Sequence, residues 1–86
     1  KGEVFINEGA KASLTSAVIR SLLPVGVTRI EGEFSKGDIL LIRDEKGIKI
    51  GLGRAEYSSK SAAEKLGHKN QKALIHYDYL YLFDHD

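Results

Sequence analysis

The sequence predicts a mainly β domain with two short helices: a small barrel or roll of five or six strands with helical insertions. Three observations carry that prediction. The closing stretch ALIHYDYLYLF alternates with period two. Short apolar runs such as EVFI and ILLI are separated by turn-forming residues. Only two segments show helical spacing or caps.

Taken in order, Glu3–Ile6 (EVFI) is a short run of strand formers. GAKASLTSAVIRSLL then carries Ala10, Leu14, Val18 and Leu22 at a spacing of four, which marks one helical face. SLLPVG holds the chain's only proline. Pro24 is expected to end this helix, because it disfavours helical geometry at Leu23 and has no N–H to give. Proline second and Gly26 fourth in Leu23–Gly26 suit a type I turn, so the turn converts helix into strand. VTRIEGEF is that strand, and SKGD is the polar turn after it.

ILLI is short enough to read as a strand buried on both faces. In RDEKG, Asp44 opens a tight reversal and Gly47 closes it. IKIGLG puts Ile48, Ile50 and Leu52 on one face and Lys49, Gly51 and Gly53 on the other. The two glycines leave that second face nearly bare, so another backbone can approach or the strand can bend. SSKSAAEKLG is the second helix, with capping-box spacing at Ser61 and Glu64 and Gly67 as its stop. The last strand sets Tyr77, Tyr79, Tyr81 and Phe83 on one side, opposite His76, Asp78, Leu80 and Leu82. Its tyrosines are expected to be mostly packed.

Composition narrows the function classes. The 86 residues suit one domain, with a thin core. No apolar run approaches the ~20 residues of a membrane span. Without cysteine there is no disulfide and no thiolate metal site, and a cytoplasmic home is the expectation. A net charge of +1 gives no global nucleic-acid footprint. The chain has no methionine, from which we expect a domain of a longer protein.

INEGAKASL, RSLLPVGVTRIEGEFSKGDILLIRDEKG, IGLGRAEYSS and LIHYDYLYL together resemble the C-terminal PUA domain of bacterial glutamate 5-kinases. The resemblance spans nearly the whole chain and implies a PUA-like pseudobarrel over residues 1–86. It also implies a parent enzyme that uses ATP and Mg²⁺ to phosphorylate L-glutamate in proline synthesis. That chemistry would reside in an amino-acid kinase domain N-terminal to this segment, which would be its partner. The sequence departs from the family pattern at Asn7, where an aspartate is usual, at Ile19, where a small residue is usual, and at Tyr77, where a basic residue follows the histidine. The stretch between the second helix and the last strand is also shorter. Asn7 lacks the charge that would fix a basic partner.

No catalytic, cofactor or metal residues are assigned to this segment; Gly51-x-Gly53 alone is no phosphate loop. The turn of Pro24, Val25 and Gly26 corresponds to the loop that touches RNA in nucleic-acid-binding PUA domains. It is read first as a plain turn, and alternatively as a set of N–H groups for a phosphate or a carbonyl. His76 and Asp78 are read as a structural polar pair, since His68, His76 and His85 match no common zinc spacing. Lys11 and Arg20, helped by Lys69 and Lys72, complete a possible RNA surface. A net of +3 over residues 60–76 is offset by −3 over residues 77–86, so the basic stretch is read as a solvated surface. Two functions remain open: an accessory domain of a metabolic kinase, or an RNA-binding module of an RNA-modifying protein.

Overall fold

The computed structural model describes residues 2–16 and 20–83. Strands β1 (Gly2–Ile6), β2 (Val27–Glu31), β3 (Ile39–Asp44), β4 (Lys49–Ala55) and β5 (Ile75–Leu82) form a single sheet, accompanied by helices α1 (Glu8–Leu14) and α2 (Ser59–Lys65). The strand order is β2-β1-β3-β4-β5. Among the described residues, only the β1–β3 pair is parallel. An antiparallel bridge from Leu22 to Ile75 ties the segment ahead of β2 to the far edge strand, and so draws the two edges together as a pseudobarrel. Among the described residues, no helix is long and apolar enough to cross a membrane.

The core lies on one face of the sheet, where Val4, Ile6, Leu40, Ile42 and Ile75 are fully buried beneath the helices. β3 is buried on this face only. Leu40 and Ile42 point inward while Ile39 is exposed, which corrects the reading of ILLI as covered on both sides. The IKIGLG reading is corrected too. Ile50, Gly51 and Gly53 are buried, whereas Ile48 and Leu52 are exposed, because the β3–β4 register shifts by a bulge at Ile42/Arg43. The bare face has the use its glycines suggest. A Cβ on Gly51 would strike the Tyr81 carbonyl oxygen, and one on Gly53 would lie 2.5 Å from Ile75 Cγ2.

The first helix is much shorter than its spacing predicts. It stops at Leu14, where the Thr15 and Ser16 hydroxyls donate to the Lys11 and Ser13 carbonyls. Such local side-chain bonds compete with helix continuation. Leu22, the last position of the expected apolar face, is extended. Its N–H donates to Ile75 O at 2.9 Å, and its carbonyl accepts from Leu74 N–H at 2.9 Å. Val18 and Ile19 lie outside the described residues. Pro24 therefore ends no helix; it opens a single 3₁₀ turn, Pro24–Gly26. At α2 the N-cap is Ser58 rather than Ser61, its Oγ accepting from Ser61 N–H at 3.3 Å. Gly67 does stop this helix, at φ +76°.

β5 departs furthest from strict alternation. Opposite β4, Leu80 pairs with Gly53 and Ile75 with Ala55, so β5 spends five residues where β4 spends two. The surplus bulges outward. Tyr77, Asp78 and Tyr79 are all exposed as a result, and the expectation of packed tyrosines fails.

Candidate ligand surface at the Pro24 turn

The turn is built from bonds that close on the protein itself. Gly26 N–H donates to Leu23 O at 3.0 Å, and Val27 N–H donates to Pro24 O. Pro24 O also accepts from Gly67 N–H at 3.2 Å, which docks the end of α2. Gly26 O accepts from Asn7 N–H at 3.0 Å, which docks the start of α1. The turn thus staples both helices to the entry of β2. Gly26 has a steric reason to be glycine, since a Cβ there would stand 2.5 Å from Ala10 Cβ.

Asn7 is the N-cap of α1, its Oδ1 accepting from Ala10 N–H at 2.8 Å. Asparagine and aspartate cap helices about equally well, so this departure from the family pattern keeps the structural role and drops only the charge. With the Gly26 and Val27 amides spent inside the turn, little donor capacity is left for a phosphate.

A groove of about 290 Å³ runs between α1 and Ser21–Gly26, near the lower limit for small-molecule pockets. Ala10, Leu14, Leu22, Leu23 and Val25 make it mostly apolar, with Asn7, Ser13 and Ser21 as its polar groups. Leu23 and Val25 are exposed, while Pro24 and Gly26 are buried. The start of β5 joins this surface, since Tyr77 N–H donates to Ser21 Oγ at 3.0 Å. Arg20, which precedes the lining residue Ser21 in the chain, is exposed.

Of the candidate residues, the structure brings the turn, the segment from Arg20 and the start of β5 to one side. It sends Lys11 elsewhere. Lys11 Nζ lies 3.0 Å from Oδ2 of Asp44, whose side chain is completely buried. Asp44 Oδ1 accepts from Lys46 and Ile48 N–H, each at 2.9 Å. Burial alone would push the Asp44 carboxyl up; the Lys11 ammonium and the Ile48 and Lys46 amides outweigh it and hold the carboxyl below its ordinary 3.8. The hydrogen bond to Asp44 in turn raises Lys11 above its ordinary 10.5, against the opposing effect of burial. From the sequence Asp44 is legible only as a turn opener. A buried acid was the signal needed, and spacing along the chain cannot show burial.

His76 and Asp78 sit in the bulge. His76 Nδ1 accepts from Asp78 N–H at 3.1 Å and lies 3.7 Å from Asp78 Oδ2. The His76 ring stacks on Tyr77 with centroids 4.2 Å apart. The two residues lie close together, and the pair is on the surface. His85 lies outside the described residues. Lys69 and Lys72 are exposed on the loop after α2. Tyr57 steadies that loop by donating to Lys72 O at 2.8 Å, and burial pushes its phenol up to about 12.

A family model described as PUA domain matches residues 2–77. A glutamate 5-kinase of Bacteroides thetaiotaomicron is 49% identical over 82 residues, covering 95% of this chain. One of Chlorobaculum tepidum is 48% identical over 83 residues, again covering 95%. The chain spans 23% of the length of each of these two relatives. A crystal structure of a PUA domain from Aeropyrum pernix K1 superposes with a TM-score of 0.78 at 26% identity, over 88% of this chain and 41% of that one.

Proposed function

This chain belongs to the PUA domain family, and from that premise we propose that it is the non-catalytic accessory domain of a glutamate 5-kinase. The observation that carries this reading is the 49% identity to such a kinase over 95% of the chain. On this reading the intact protein works in the cytoplasm and transfers the γ-phosphoryl of ATP to the side-chain carboxylate of L-glutamate. An amino-acid kinase domain N-terminal to residues 1–86 performs the transfer and is the partner of this segment. Phosphoryl transfer needs a backbone cradle for phosphates, cations on the moving group and Mg²⁺, so ATP and Mg²⁺ are assigned to the kinase domain. The Pro24 turn supports that division, since its Gly26 amide and the following Val27 amide are spent on the fold.

The test is the intact coding sequence, in which an amino-acid kinase domain precedes this segment. An RNA-modifying domain in that place contradicts the proposal. Calorimetry of the 86 residues with Mg-ATP should show no tight binding. A dissociation constant of about 1 μM, worth about −8 kcal/mol, would expose a missed nucleotide site.

One observation favours the second reading, an RNA-binding module. Tyr77, Tyr79 and Tyr81 are exposed, and exposed aromatics can stack on unpaired bases. The cations oppose it. Lys11 is bound to Asp44, and the groove beside Arg20 is apolar. We therefore expect RNA association with a dissociation constant of about 10⁻⁴ M or weaker at physiological salt. Fluorescence anisotropy with structured and single-stranded RNA measures it. Sub-micromolar, sequence-selective binding abolished by Arg20→Glu would favour the RNA module instead.

A further inference from the structure

The groove at the Pro24 turn is not the only apolar surface. On the sheet face turned away from the core, Leu41 stands opposite Leu52, and Leu52 stands opposite Tyr81. These three form a continuous row across β3, β4 and β5. Arg54, one turn of the pleat along β4, lays its guanidinium over the Tyr79 ring at 3.7 Å from the centroid. Leu52, Tyr79 and Tyr81 are exposed. Towards β1 the row ends at an ion pair, Arg43 Nε to Glu3 Oε1 at 2.6 Å. An aliphatic and aromatic centre holding one arginine, edged by charge, is the composition of a protein contact surface.

We propose that this face of β3, β4 and β5 is the surface on which the kinase part of the same polypeptide docks. The inference rests on the functional reading above. Three arguments select this occupant. Two of the cations around the row are already matched, Arg43 by Glu3 and Arg54 by Glu56 at 3.9 Å, which leaves a polyanion only the exposed Lys49 opposite Arg43 to neutralise. The matched segment is 23% of the relatives' length, so on that reading most of the protein is tethered beside this domain. A short tether supplies an effective concentration on the order of millimolar, at which a patch of a few side chains is enough to hold two domains together.

The tyrosines provide their own test. Tyr77, Tyr79 and Tyr81 are 47%, 48% and 63% exposed, so on a free domain they should be modified at similar rates, with Tyr81 foremost. Tyr77 stacks on His76, beside Ser21, near the start of β5, whereas Tyr81 lies near its end. Tyr57, with its hydroxyl bonded to Lys72 O, is the slow internal standard. The intact chain is treated briefly with tetranitromethane, and nitration of each tyrosine is read by peptide mass spectrometry.

Docking predicts that Tyr79 and Tyr81 react several-fold more slowly than Tyr77. In Leu52→Lys, which places a charge in the row without touching the core, Tyr81 should regain the rate of Tyr77. An intact glutamate kinase in which Tyr81 reacts at least as fast as Tyr77 overturns the docking face and leaves the functional reading standing. An intact chain that shields the row but does not phosphorylate glutamate overturns the functional reading instead.

Discussion

At the scale of single residues, this domain depends on a few positions whose roles are set by a distant neighbour. Gly26 touches Ala10, so Gly26→Ala drives one methyl group against another. Overpacking of that kind typically costs about 1–3 kcal/mol. Urea unfolding should show that loss, and Ala10→Gly in the same chain should restore much of it. An undiminished midpoint in Gly26→Ala would mean that the staple yields. Asp44 and Lys11 form the second such site. A carboxyl held below its ordinary 3.8 stabilises the fold fully above about that pH, and the contribution is lost as pH falls through the lowered folded value. Lys11, raised above 10.5, stabilises below that pH and loses its contribution as pH climbs through the raised value. Asp44→Asn should therefore be less stable than the parent at neutral pH and show a flatter acid limb in thermal melts from pH 2 to 7. Equal acid limbs would contradict the role given to the pair. The turn residues were legible because proline restricts the backbone locally and glycine frees it. The ion pair was not, since it joins residues 33 positions apart across a burial boundary that no local pattern marks.

At the scale of elements, β5 shows why alternation misled. Strict period two would place Leu80 and Leu82 in the core and says nothing of an insertion in the ladder. The bulge at residues 76–79 moves the deepest contact of β5 back to Ile75, which is fully buried, bonded to Leu22 and packed over Gly53. Leu80 only packs against the edge of the core. Ile75→Ala should cost about 2–5 kcal/mol, and Leu80→Ala distinctly less. Leu80→Asp, which strict alternation would expect to unfold the domain, should lower the melting midpoint but leave a cooperative transition. A non-cooperative melt in Leu80→Asp would return Leu80 to the core. The first helix misled in a related way. Leu22 fits a four-residue spacing, but its backbone is held by strand-like bonds to Leu74 and Ile75, and those tertiary bonds override the local pattern.

At the scale of the whole molecule, the class of fold was legible because strands, turns and caps each carry a local signal, and those signals agree with one another. The surface was less legible. Whether Tyr77 and Asp78 both face solvent depends on the bulge, and whether Lys11 is available to a ligand depends on Asp44. The resulting surface is apolar where an RNA-binding reading needs cations, and this agrees with the proposal, carried by the identity to glutamate 5-kinases, that the domain is a kinase accessory. That assignment is tested most directly by assaying Mg-ATP-dependent phosphorylation of L-glutamate with the intact chain and with a version lacking these 86 residues. The intact chain should phosphorylate glutamate. The shortened one should keep kcat within about tenfold, a change in barrier of no more than about 1.4 kcal/mol. An intact chain without this activity, or a folded shortened chain that binds both substrates and has lost the chemical step, would contradict the assignment.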